Sequence, residues 1–186
     1  MSAIPGTDVG TMTDLINENN GAQNPLVTDQ LLLAIFWEES LFNNIKQIGG
    51  TAIGFGQMEP TELKRMNGAG DIQIDVSRIL ADPAASVDAT AQMLDALVWK
   101  LGKSEALRGY AGYYFQKDAA FRARRQLTIT GWLNCESGLL GISQNILDLV
   151  GAPDATIEAL KKARPFNPGS PASQGRTWGQ ILFPDT

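Results

Sequence analysis

The chain reads as a mainly α-helical protein, and three observations predict this. The first is the unbroken apolar run Leu31-Leu32-Leu33-Ala34-Ile35-Phe36-Trp37, apolar on every helical face, which marks a buried central helix. The second is Asp82-Pro83, an N-cap and first-turn proline, ahead of Val87, Ala91, Leu94, Val98 and Leu101 at helical spacing. The third is how little strand pattern there is, with Ile72, Ile74 and Val76 giving one short alternation. The expected architecture is a buried central helix, a Gly-rich loop or small β region, and an irregular C-terminal tail.

Each element follows in order. Residues 1–24 are polar and rich in Gly and Asn, and read as an N-terminal arm. A helix is predicted over 28–42, opening on Thr28 as N-cap. Glycines at 49, 50, 54 and 56 break regular structure between Gln47 and Pro60, so this stretch is a loop. The Asp82-Pro83 helix should stop at Gly102. Ser104 should then cap a helix carrying Leu107, Tyr110, Ala111 and Tyr114. Another helix fits 117–133, weakened in its second half by Thr128-Ile129-Thr130-Gly131, and a short amphipathic one fits 154–164, ended by Pro165. The expected division is an arm over 1–24, one domain over 25–164, and a tail over 165–186 packed back on it.

Composition removes whole classes of chemistry. At 186 residues the chain can form one good core, and 44% hydrophobic with 19% charged residues describe a globular protein. It contains no histidine, which excludes Ser-His-Asp and Cys-His catalysis and histidine-based metal sites. A single cysteine, Cys135, allows neither an internal disulfide nor a multi-thiolate zinc site, and reads as a small buried apolar residue. A net charge of −5 argues against general nucleic-acid binding. No apolar stretch reaches the roughly 18 residues that span a bilayer. The first residues lack the basic and apolar regions of a signal peptide. Catalysis therefore falls to carboxylates, tyrosines, amides, hydroxyls or lysines, with no metal and no organic cofactor expected.

One constellation fits carboxylate chemistry. Glu39 follows Leu32, Ile35 and Phe36 at helical spacing and shares their face. An acid buried among such side chains has its pKa raised, because desolvation disfavours the charged form. That is what protonation of a glycosidic leaving oxygen requires near neutral pH. The competing interpretation is a pair of solvated glutamates, Glu38 and Glu39, at a helix end. On spacing alone the two are evenly matched.

Glu39-Ser40-x-Phe42-Asn43, then Gly54-x-x-Gln57-x-x-Pro60, resembles the E-S-x-F-N and G-x-x-Q-x-x-P signature of lytic transglycosylases and goose-type lysozymes. Two weaker matches follow. Asp82-Pro83 with Val87 and Leu94 is similar to the family's D-P-x-x-N-I-x-x-G-x-x-Y-L helix, with Ser86, Thr90 and Met93 replacing its asparagine, glycine and tyrosine. Leu107-Arg108-Gly109-Tyr110 sits where the family has L-A-A-Y-N-A-G, with Ala111 in place of the asparagine. The resemblance covers about residues 28–133 and implies a lysozyme-like domain. It implies Glu39 as general acid and base, and Tyr110 with its hydroxyl near that carboxyl. Ser40, Gly54, Phe55 and Gln57 would then line the sugar cleft.

Glu59 lies two residues after Gln57, where goose-type lysozymes tend to carry an aspartate. If it held a water, the outcome would be inverting hydrolysis. If Glu39 acts alone, the substrate's N-acetyl group assists and the muramyl 6-hydroxyl closes an anhydro ring. The implied partner is peptidoglycan or a related amino-sugar polymer, without nucleic acid, and a monomer is expected. A protein made in the cytoplasm without a signal peptide would reach the cell wall or periplasm by a non-Sec route or on lysis. A chitinase-like hydrolase and a non-catalytic glycan- or protein-binding module are the alternatives. The basic cluster Arg122, Arg124 and Arg125 suggests binding of wall phosphates or carboxylates, although such clusters more commonly just solvate a helix face.

Overall fold

The computed structural model describes residues 7, 9–115 and 118–140. Among them are six α-helices and no extended strand: α1 (Val9–Asn19), α2 (Asp29–Ser40), α3 (Pro60–Ala69), α4 (Pro83–Leu101), α5 (Lys103–Tyr110) and α6 (Ala119–Leu140). The protein is mainly α, as the apolar periodicity predicts. The sole β pairing among these residues is two isolated bridges, Lys46 with Ile53 and Ile53 with Met58, inside the Gly-rich loop.

The central helix α2 buries every residue from Gln30 to Phe36. Thr28 caps it as expected, its hydroxyl oxygen accepting from the Leu31 N–H at 3.1 Å. Helices α1 and α6 pack directly on it, and α4 packs on α1 and α5. Their shared core includes Met12 and Ile16 of α1, Val87, Leu94 and Val98 of α4, and Ile129 and Trp132 of α6. A second, smaller core joins Ile53 and Met58 of the loop to Leu63 and Met66 of α3 and Met93 of α4. It holds the Gly-rich loop against the body.

Four sequence expectations are corrected. Residues 9–19 form a helix that contributes to the core, so the N-terminal arm is largely a structural element. Ile72, Ile74 and Val76 belong to no strand. Asp75 accepts from Ser77 N–H and starts a 3-10 turn, Val76–Arg78, so local capping defeats the alternation. Ser104 lies inside α5 and does not cap it; Gly102 occupies the N-cap position. Tyr114 falls in a separate 3-10 turn, Tyr113–Phe115.

Helix α6 runs through the Thr128-Gly131 segment and on to Leu140. Both threonines return their hydroxyls to carbonyls one turn back, at 3.3 Å and 2.9 Å, while Ile129 and Trp132 are buried against the core. Core packing outweighs the weak helix propensity of this stretch. The expected helix over 154–164, the domain end at 164 and the tail over 165–186 lie outside the described residues.

Candidate active site

Glu39 is the penultimate residue of α2. The helix stops there because Leu41 and Phe42 both take left-handed conformations, with φ of 53° and 59°. That is an unfavourable state for non-glycine residues, costing about 1–2 kcal/mol each. The turn is held by Leu41 N–H bonding Trp37 O at 3.0 Å, Phe42 N–H bonding Phe36 O at 3.3 Å, and Phe42 packing edge-on against Trp37. The chain thus leaves the helix one residue after Ser40, and Glu39 opens into a cleft of about 290 Å³.

Glu39 keeps 16% of its side-chain exposure. Burial raises its pKa from 4.5 to about 7, opposed by the Arg125 guanidinium and reinforced by the neighbouring charge of Glu38. The Arg125 Nη1–Glu39 Oε1 separation is 3.9 Å, too long for a hydrogen bond, so the cation weakens the shift without cancelling it.

The cleft is lined also by Gln57, Glu59, Tyr110, Phe121 and Arg125. A second depression of about 450 Å³ shares Gln57, Glu59, Tyr110 and Gly112 with it and adds Met58, Met93, Leu97 and Tyr114. Together they make a trough, polar at Glu39 and more apolar beyond Tyr110.

Two glycines of the loop are demanded by close packing from inside the protein. A Cβ on Gly54 would meet Ser86 Oγ at 2.6 Å and Ile79 Cγ2 at 2.9 Å, and the φ of +83° also favours glycine. A Cβ on Gly56 would meet the Tyr110 hydroxyl at 2.3 Å and Thr90 Oγ1 at 2.6 Å. Glycine at these two positions thus makes room for α4 and α5. Of the two, only Gly56 also reaches the cleft. Ser86 uses that proximity: Phe55 N–H donates to Ser86 Oγ at 2.9 Å, while the Thr90 hydroxyl donates to Ser86 O at 3.0 Å.

The other expected site residues divide. Gln57, with φ of 49°, lines the trough and donates both amide hydrogens inward, to Gly54 O at 2.8 Å and Ile45 O at 3.0 Å. Its carbonyl oxygen is left to accept. Tyr110 lines the trough too, and its hydroxyl donates to Gly56 O at 2.5 Å, so the single phenolic proton is spent on the loop. Burial and the nearby Glu39 carboxylate push its pKa well up. Glu59 is exposed, sits at the N-cap position of α3, and accepts from the Thr51 hydroxyl at 2.6 Å. Ser40 and Phe55 stay out of the trough. Ser40 is buried and donates back to Phe36 O at 3.0 Å, while the Phe55 ring packs on Phe36 with centroids 5.6 Å apart.

Sequence reasoning did not single out Arg125 as the member of the basic cluster that approaches Glu39. That choice depends on how α6 docks on α2, which no local pattern encodes.

A family model described as the Transglycosylase SLT domain matches residues 16–130, well over half of the chain and every residue of the trough. The chain belongs to the transglycosylase SLT domain family. Comparison with curated proteins and with solved structures gives no match. At family level the SLT domain has a lytic-transglycosylase-like, peptidoglycan-related function. No helix among the described residues of this SLT domain is long and apolar enough to cross a membrane.

Proposed function

We propose that this SLT domain cleaves the β-1,4 bond between N-acetylmuramic acid and N-acetylglucosamine in peptidoglycan, at the cell wall or in the periplasm. The observation that carries this is Glu39, a carboxylic acid lining the trough with a pKa raised to about 7 by burial. A substantial share of the molecules then hold a proton at neutral pH, in position to deliver it to a leaving oxygen.

The cycle follows from one carboxyl group. Glu39 protonates the glycosidic oxygen as its bond to muramyl C1 breaks, and the 2-N-acetyl carbonyl oxygen attacks C1 to give a bicyclic cation. The Glu39 carboxylate then accepts the proton of the muramyl 6-hydroxyl, whose oxygen attacks C1 and reopens the acetamide. The products are a free N-acetylglucosamine 4-hydroxyl end and a 1,6-anhydromuramyl end, and Glu39 is protonated again. Burial suits both halves, since the acid is strong enough to donate and its conjugate base strong enough to accept. Gln57 offers its amide oxygen to the sugar, and Tyr110 fixes the loop wall through Gly56.

A second outcome, hydrolysis, is favoured by one observation: the Glu59 carboxylate lines the same cleft as Glu39 and would hold a water there. Turnover of purified peptidoglycan by the native protein and by Glu39→Gln, with products identified by mass spectrometry, separates these readings. Anhydromuramyl products that vanish in the variant are the expected result. Reducing muramic acid ends would assign hydrolysis and make Glu59→Gln the next variant. No fragments from either protein would overturn the enzymatic reading.

A further inference from the structure

We propose that Arg125 binds a carboxylate of the substrate, so that the trough selects glycan whose muramyl side chain carries a free negative charge. This rests on the peptidoglycan reading above. Arg125 is the only cation among the described residues lining the trough, which otherwise carries Glu39, Glu59 and Glu62. Its guanidinium lies over the Phe121 ring on the first turn of α6, 5.5 Å from the centroid and within cation–π range. Among the described residues no acceptor lies within hydrogen-bonding distance of it; its nearest carboxylate oxygen is Glu39 Oε1 at 3.9 Å.

A planar guanidinium with unused N–H donors, lining a trough, is suited to bidentate capture of a carboxylate. The long separation from Glu39 has a second consequence. A closely bonded arginine would hold Glu39 ionised and end its use as an acid, whereas a substrate carboxylate drawn to Arg125 offsets the cation just when Glu39 must carry its proton. Two groups on a muramyl residue supply this chemistry: the lactyl carboxylate left once the stem peptide is removed, and the carboxylates of the stem peptide itself.

The test measures binding in a Glu39→Gln background, where glycan stays uncut and removal of Arg125 leaves no unpaired charge behind. Three soluble tetrasaccharides serve as probes: a muramyl-containing one without peptide, the same one bearing stem peptides, and a neutral oligomer of N-acetylglucosamine. Adding Arg125→Gln should weaken one of the two carboxylate-bearing probes by about tenfold or more and leave the neutral probe within a factor of two. Which probe responds identifies the source of the carboxylate, and Arg125→Lys should recover part of the loss. Equal weakening of all three probes, or no change in any, would overturn the proposal while leaving the peptidoglycan reading intact. Failure of the Glu39→Gln protein to bind any glycan would overturn both.

Discussion

Desolvation lifts the Glu39 pKa from 4.5 to about 7, so the fold favours the neutral acid over the carboxylate. The linkage sign follows. This group's contribution to stability is fully present below pH 4.5 and is lost as pH rises to and through about 7, because above that the buried carboxylate must be charged. Glu39→Gln, neutral at every pH, should therefore match the native protein at pH 4 and exceed it by about 2–3 kcal/mol at pH 8. Urea unfolding at the two pH values reads the difference directly. Equal stability at pH 8 would mean that Glu39 ionises without penalty. Activity should fall above pH 7 in the same native protein, since the donor is then deprotonated. The site is thus built at some expense of stability, a trade common where a group must be held in its less comfortable state.

At the scale of elements, three helices are tied together at one buried carboxylate. Glu136 of α6 accepts from the Thr28 hydroxyl at the start of α2 and from Lys103 Nζ at the start of α5, both at 2.5 Å. Thr28 therefore does two things at once, since its oxygen also caps α2. This junction joins α6 to the starts of α2 and α5. Lys103→Met would leave Glu136, at 5% side-chain exposure, without its cation. The expected cost is about 3 kcal/mol at pH 7 by thermal or urea unfolding, the lower end for a broken buried pair because Lys103 keeps some contact with water. Adding Glu136→Gln should recover much of that loss, because the unpaired charge is then gone. A double variant no better than Lys103→Met would point instead to lost packing of the lysine stem.

For the whole molecule, α1 belongs to the fold that shapes the site. Met12 and Ile16 are fully buried in the core that supports α2. The segment after α1 is pinned to α4 through Asp95, whose Oδ1 accepts from Gln23 N–H at 2.9 Å and from Asn24 N–H at 2.6 Å. Met12→Ala and Ile16→Ala should each cost about 2–5 kcal/mol. A chain begun at residue 25 should lose cooperative unfolding, checked by urea titration followed by circular dichroism. Wild-type stability in either alanine variant would mean that α1 docks only loosely.

The helical class, the central helix with its Thr28 cap, the Asp82-Pro83 helix start and the candidate acid were legible in the sequence. Each rests on interactions a few residues apart: apolar spacing along a helix, a cap one turn ahead, a Gly-rich loop after an apolar run. The family signature added Gln57 and Tyr110 to the candidate site. Residues 9–19 gave a weaker signal, since Val9, Met12, Leu15 and Ile16 are scattered among polar residues and only the partners across the core make Met12 and Ile16 decisive. Tertiary structure alone decided that Ser40 and Phe55 turn inward, that Gly54 and Gly56 make room for Ser86 and Tyr110, and that Arg125 is the basic residue facing Glu39. The physical reason is distance along the chain. Burial of Glu39 and its charge partner come from helices over eighty residues apart, and no local pattern specifies how their faces meet.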